Sequence, residues 1–394
     1  LSAAPHRIYL DNAATSWPKP EGVYAAVDRY QRQIGAPAGR SSYGEAIEVS
    51  EQIAECRRRL ARLINAPRAE QIAFTFNGTD ALNLAIHGVL RPGDHVVTTV
   101  AEHNSVLRPL KSLEERMGLA VTHVDCDAEG IVSAEAVARA LRPQTRLVVA
   151  THASNVTGAI QPIESIGKVA QAQGALVLVD GAQSVGHLPI DVQRLPIDLL
   201  AAPGHKGLLG PLGTGMLYVR PGVETRLQSL RQGGTGTQSE DEQQPTALPA
   251  AYEAGSLNVP GLFGLAESVG WLLERGVESI RQHEVDLTSQ LLDGLRALPN
   301  VTIHGPLEAQ RRVGVVLVTL PDLDSQELAS ILETSYHIQV RAGLHCAPRM
   351  HQKLGTLEQG GAVRFSIGPF NTAEEIQAVI EAMREVAASI ATYH

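Results

Sequence analysis

An α/β fold, with a seven-stranded, mostly parallel sheet and a smaller α+β unit beside it, is what this 394-residue sequence predicts. Three observations carry that prediction. Seven short runs rich in β-branched and aliphatic residues lie between residues 72 and 219, and segments with apolar residues at three- and four-residue spacing separate them. Past residue 260 the strand-like runs become fewer and the helical patterns longer. The length agrees, because one hydrophobic core stops growing at roughly 250–300 residues and longer chains divide.

Taken in order, the strands are expected at Ile72–Phe76, His95–Val100, Val121–Asp125, Arg146–Thr151, Ala175–Asp180, Asp198–Ala202 and Gly215–Val219. Helices are expected over Asp80–Leu90, Ser105–Met117, Ser133–Leu141 and Ile163–Ala172. Strands alternating with helices make a parallel sheet covered by helices, whose ligands sit beyond the carboxyl ends of the strands. From Gln232 to Pro249 Gly, Thr, Gln, Ser, Glu and Pro dominate without periodicity, which is the chemistry of a long loop. Helical patterns follow at Gly264–Leu273 and Val277–Leu298, then strand-like Val313–Leu320, Ile338–Ala342 and Ala362–Ile367. A capping box at Thr372 and Glu375 opens the last helix, which continues to about Ile390.

Composition removes several function classes. With 33 Lys+Arg against 42 Asp+Glu the net charge is −9, and no basic run exceeds Arg57-Arg58-Arg59, so no surface for nucleic acid is expected. Cys56, Cys126 and Cys346 form no C-x-x-C pair and leave an odd thiol, which suits neither a disulfide framework nor structural zinc. The spacing of His345, Cys346 and His351 matches no usual zinc pattern, and no metal is expected. No stretch approaches the roughly 18–20 apolar residues of a membrane span, and Leu1–Pro5 lacks the basic and apolar regions of a secretory signal. A cytoplasmic protein is expected.

The most informative pair is Asp180 and Lys206. One ends the apolar run Ala-Leu-Val-Leu-Val-Asp180 and the other follows Leu199–Ala202 in Pro-Gly-His205-Lys206, so both belong to the same sheet edge. A carboxylate there is costly without a cation, and a lysine can be desolvated into a nucleophile. Pyridoxal 5'-phosphate (PLP) needs both: its aldehyde takes a lysine as a Schiff base, and an acid keeps its ring nitrogen protonated. Alone, such an Asp is as readily a cap or surface charge, and such a Lys a solvated one. The strand-to-helix passage through Asn77-Gly78-Thr79-Asp80 offers free N–H groups to an anion, although Gly-Thr before a helix is also common capping chemistry. Neither G-x-G-x-x-G after a first strand nor G-x-x-x-x-G-K-[ST] is present. His103, after the strand ending at Val100, suits stacking and proton shuttling, or simply opening the next helix. Cys346 leaves a strand through a Gly turn beside His345 and Arg341, both able to favour a thiolate, whereas most lone cysteines are buried hydrophobes. Arg364 inside an apolar strand calls for an anion, unless it lies on an edge in solvent.

These residues resemble the class V aminotransferase group of fold-type I PLP enzymes, and within it the cysteine desulfurases. The similarity runs through Tyr9-Leu-Asp-Asn-Ala-Ala-Thr15, Asn77-Gly-Thr79, Ala101-Glu-His103-Asn, His152-Ala-Ser-Asn155-Val-Thr-Gly158, Val179-Asp180-Gly-Ala-Gln183-Ser, Gly204-His205-Lys206, Tyr252-Glu-Ala-Gly255-Ser256-Leu-Asn258, Arg341-Ala-Gly-Leu-His-Cys346 and Arg364-Phe-Ser. The short cysteine segment resembles the group II branch, which includes the SufS proteins and selenocysteine lyases. The resemblance implies that Lys206 holds PLP, Asp180 pairs with its ring nitrogen, and His103 stacks on the ring. It further implies that Gln183 and Asn155 contact the hydroxyl side, and that Gly78, Thr79 and His205 seat the phosphate. Ser256 is expected to reach the neighbouring subunit's phosphate in a homodimer. Arg364 is expected to take the substrate carboxylate near Asn12, Ala13 and Ala14. The implied division is a large PLP-binding domain over 22–258, with 1–21 and 259–394 forming a small domain that carries Cys346 and Arg364.

Three positions depart from the family pattern. Pro203 stands where Ser or Thr is usual, so one phosphate hydroxyl is missing; Ser256 replaces Thr and keeps its hydroxyl; Leu344 replaces the first of two histidines. The implied activity is conversion of L-cysteine to L-alanine with a persulfide on Cys346, and the implied partners are L-cysteine or selenocysteine and a sulfur-acceptor protein. Two other activities stay open at this stage: a selenocysteine lyase or C–S lyase on the same scaffold, and a non-catalytic sulfur-relay protein.

Overall fold

The computed structural model describes residues 7–39, 41–236, 240–321 and 323–391; Leu1–Pro5 and part of the expected Gln232–Pro249 loop lie outside the described residues. Its strands are β1 (Ile8–Tyr9), β2 (Ile72–Thr75), β3 (His95–Thr99), β4 (Ala120–Val124), β5 (Thr145–Thr151), β6 (Leu176–Asp180), β7 (Leu199–Pro203), β8 (Gly215–Val219), β9 (Thr302–His304), β10 (Val315–Thr319), β11 (Ile338–Gln339), β12 (Arg341–Gly343) and β13 (Ala362–Ser366). The α-helices are α1 (Glu21–Arg29), α2 (Gly44–Leu63), α3 (Gly78–Val89), α4 (Asn104–Met117), α5 (Ala134–Ala140), α6 (Ile163–Ala172), α7 (Val259–Arg275), α8 (Val277–Arg296), α9 (Ser325–Tyr336), α10 (Pro348–Lys353) and α11 (Ala373–Ala391).

The large sheet has seven strands in the order β2-β8-β7-β6-β5-β3-β4. Only β8 runs against the others, pairing antiparallel with both β2 and β7. The strands β2, β3, β5, β6 and β7 therefore open their carboxyl ends on one edge, where ligands of such sheets bind. Their side chains are buried on both faces, which is why they appear in sequence as near-continuous apolar runs rather than alternating ones.

A second core gathers around a four-stranded antiparallel sheet, β12-β13-β10-β9, joined by Ile8 and Leu10 and covered by apolar residues of α8, α9 and α11. The expected run Ile338–Ala342 divides in two. β11 pairs in parallel with β1, whereas β12 pairs with β13 and sets Arg341 directly opposite Arg364. Leu262, Phe263, Leu265, Val269 and Leu272 of α7 pack into the core of the large sheet, against α1 and α2. α8, beyond the Gly276 turn, places Val285, Leu287, Leu291, Leu292 and Leu295 in the second core instead. Among the described residues no helix is long and apolar enough to cross a membrane, and no group of His, Cys, Asp and Glu could hold a metal ion.

Candidate active site

The carboxyl ends of the parallel strands converge on one cavity. It is lined by Gly78 and Thr79 after β2, His103 after β3, Asn155 after β5, Asp180 and Gln183 at the end of β6, and His205 and Lys206 after β7. Asn77, Ser105, Thr151 and Pro203 complete much of its wall. All eight cofactor residues expected on this edge are therefore brought together. Ser256 is not: it is exposed and lines neighbouring cavities with Gly213, Arg231 and Leu257.

Each wall is held by identifiable bonds. Asn77 caps α3 through its Oδ1, which accepts the Asp80 N–H at 2.8 Å, while the N–H groups of Gly78 and Thr79 have no partner among the described residues. A Cβ on Gly78 would lie 3.1 Å from the Pro203 ring, so the close approach of α3 to β7 calls for glycine. His103 Nδ1 accepts the Ser105 N–H at 3.0 Å, which leaves its proton on Nε2. The Ser105 hydroxyl links that ring, at 2.8 Å, to the Thr79 hydroxyl, at 2.7 Å. Burial, reinforced by Lys206 and nearby arginines, pushes His103 down to about 4, so the ring is neutral near pH 7. The Gln183 amide donates to the Ala13 carbonyl at 2.9 Å, and Ala13 N–H donates to the Ser366 hydroxyl at 3.0 Å. Asn12 is buried and bonded to the Ser366 carbonyl and Asn371, and Ala14 N–H closes a turn onto Asp11.

The Cys346 loop docks against this cavity through its backbone. Asn104 N–H, next to His103, donates to the Cys346 carbonyl at 2.8 Å, and Asn155 Nδ2 donates to the His345 carbonyl at 2.7 Å. His345 and Cys346 hold left-handed backbone, with φ of 49° and 58°, a conformation costing non-glycine residues roughly 1–2 kcal/mol each. The Arg341 guanidinium lies 3.7 Å from Cys346 Sγ. His345 plays no such part, contrary to its expected role beside the thiol. Its Nε2 meets the Arg341 carbonyl at 3.3 Å and its Nδ1 meets His351 Nε2 at 3.2 Å, and the Thr356 hydroxyl holds His351 Nδ1 at 2.8 Å. Both rings are buried and pushed far toward the neutral form.

Arg364 is 1% exposed, and its charge is offset by Asp11 at 2.7 Å and by the Asn155 carbonyl at 3.1 Å, while its Nε has no partner among the described residues. Asp11 belongs to the N-terminal motif, and its pairing to an arginine more than 350 residues away is not legible in local sequence.

An aminotransferase class-V family model matches residues 8–379 of this chain. The chain belongs to that family. A probable cysteine desulfurase of Methanothermobacter thermautotrophicus is 38% identical over 384 residues, covering 96% of this chain and 94% of the relative. A cysteine desulfurase of Yersinia pestis is 31% identical, covering 96% and 93%. Among solved structures, the apo cysteine desulfurase of Thermococcus onnurineus superposes with a TM-score of 0.91 at 34% identity, covering 97% of this chain and 95% of that one. The Escherichia coli cysteine desulfurase CsdA gives a TM-score of 0.87 at 28% identity, covering 98% and 95%.

Members of the aminotransferase class-V family are PLP enzymes of the fold-type I class, and the cavity's unmet polar groups fit that cofactor. Asp180 is 4% exposed, and among the described residues its carboxylate accepts one hydrogen bond, from Ala182 N–H at 2.9 Å; burial pushes its carboxyl above the usual range. Lys206 is pushed down to about 8, chiefly by burial, with Asp180 opposing the shift. Among the described residues neither has an ion-pair partner within 4 Å, so each charge lacks the counter-ion its burial demands. These two residues fit PLP: Asp180 would hold its protonated ring nitrogen, and the Lys206 amine would be taken up by its aldehyde. His205 Nδ1 is buried without a partner beside the free N–H groups of α3, a donor set suited to phosphate.

Proposed function

We propose that this chain is a PLP-dependent cysteine desulfurase acting on L-cysteine, with Lys206, Asp180, Gln183, Asn155, His103, Gly78, Thr79 and His205 holding the cofactor. The observation that carries this is the docking of the Cys346 turn, by Asn104 and Asn155, onto the cavity that contains Lys206 and Asp180. The names of the relatives support it.

When bound, PLP supplies an electron sink for the carbanion formed at the substrate Cα. Asp180 keeps the charge that the ring nitrogen's proton requires. Arg364, with Asn12, Ala13 and Ala14 around it, orients the substrate carboxylate. Lys206, whose burial makes the free amine accessible near neutral pH, takes the proton from Cα. Neutral His103 holds its proton on Nε2 over the cavity and steadies the ring face. Cys346 Sγ, beside the Arg341 guanidinium, attacks the substrate sulfur: an S–S bond forms, the C–S bond breaks, and its electron pair returns to carbon, which is reprotonated to alanine. A persulfide on Cys346 then awaits a sulfur-acceptor protein. Exposed Ser256, outside its own chain's cavity, fits the homodimeric arrangement in which it serves the partner's phosphate. A cytoplasmic location, where thiols stay reduced, accords with three free cysteines.

The test is product analysis. PLP-loaded protein given no more than one equivalent of L-cysteine is expected to yield alanine in equal amount to sulfur on Cys346, read by mass; pyruvate and ammonia instead would overturn the proposal. Gly78→Ala places a methyl against Pro203 at the phosphate seat, and is expected to weaken PLP binding about tenfold, in line with a typical overpacking cost of about 1–3 kcal/mol. Fluorescence titration of cofactor-free protein with PLP measures it.

A further inference from the structure

The ladder between β3 and β5 stops early. It runs from His95↔Thr145 to Val97↔Val148, whereas β5 continues beside β6 as far as Thr151↔Asp180, and β3 beside β4 as far as Thr99↔Val124. Beyond Val97 no further pairs join the two strands, although Thr151 at the end of β5 and His103 after β3 both line the cavity. The side chain of Glu102 fills the gap. It is fully buried, and its Oε1 accepts both the Thr99 hydroxyl at 2.7 Å and the Thr151 N–H at 3.0 Å. The Thr99 hydroxyl oxygen in turn accepts the Ala101 N–H at 3.1 Å. The carboxyl thus replaces the missing backbone ladder at the level of the site. On one side it is continuous with His103, the next residue; on the other it holds Thr151, the register partner of Asp180.

We propose that Glu102 is a positioning residue, a strut that fixes the width of the slot between His103 and Asp180. The inference rests on the PLP reading for what fills the slot, but not for the strut. Glu102 Oε2 has no partner among the described residues. Burial, with Asp180 nearby, pushes the carboxyl up to about 8, so the strut is a neutral acid near pH 7 and adds no second negative charge beside Asp180. Glutamine keeps the length, the neutrality and the acceptor oxygen. Aspartate is one methylene too short to span, and alanine removes the acceptor.

Full-length protein carrying E102Q, E102D or E102A distinguishes these cases, measured both free of PLP and loaded with it. In E102D and E102A, amide exchange at Thr151 is expected to rise about tenfold or more in both forms. In the loaded form the visible circular dichroism of the cofactor is expected to change, and kcat to fall about tenfold with KM within about twofold, because Arg364 is untouched. E102Q is expected to match the wild type in all three. The proposal is overturned if E102A, or E102D where E102A does not fold, leaves Thr151 exchange and the dichroism unchanged, or if E102Q is as damaging as E102D. Failure of the wild type to take up PLP would overturn the functional reading instead, and the exchange comparison in cofactor-free protein would still decide the strut.

Discussion

Cys346→Ala is expected to abolish sulfur transfer to the protein while leaving the cofactor site intact. The reason is geometric. The Cys346 turn is bonded to the cavity through the carbonyls of His345 and Cys346, and neither bond involves the side chain that is removed. PLP uptake and its visible absorbance should therefore match the wild type. Alanine formation from cysteine should fall by about three orders of magnitude or more, as expected when a nucleophile is deleted. Mass spectrometry of the reacted protein should find no added sulfur. Alanine formation at the original rate, with sulfur still bound to the chain, would exclude Cys346 as the nucleophile.

Lys206→Ala is expected to be as severe, by another route. It removes the covalent anchor and the proton acceptor together, so turnover should drop by about 10³-fold or more, with PLP lost on gel filtration. Wild-type protein provides the control. Burial brings Lys206 down to about 8, and only its uncharged amine can bond to an aldehyde. The rate of PLP uptake by cofactor-free protein should then rise with pH up to about 8 and level off above it, followed by the growth of the visible band. A flat profile from pH 6 to 9 would mean that Lys206 is not the group that takes the cofactor.

Much of the large sheet was legible because both of its faces are covered. The run Leu-Val-Leu-Val before Asp180 is apolar throughout, and that pattern survives in one dimension. The residues that terminate those strands were legible for the same reason, since parallel strands deliver their ends to one edge. The smaller unit was less legible. Ile338–Ala342 looks like one strand, yet it serves two sheets, because Ile8–Tyr9 claims one half and Ala362–Ser366 the other. Similarly, α7 looks like the start of the second unit, and its apolar face is nevertheless spent on α1 and α2.

The chemistry divides along the same line. Which residue types occupy the sheet edge, an acid, an amine, a histidine and a capped helix start, follows from local order in the chain, since strand ends and helix starts are set by short-range patterning. Which of them touch does not. His345 neighbours Cys346 in sequence, but its ring is engaged by His351 and Arg341, and the thiol's companion is the Arg341 guanidinium. Nothing local sets Glu102 or Asp11 apart, yet the fold buries one beside Thr99 and Thr151 and sets the other on Arg364. A buried charge or acceptor must find its partner wherever packing places one, and that partner is chosen by the three-dimensional meeting of distant segments.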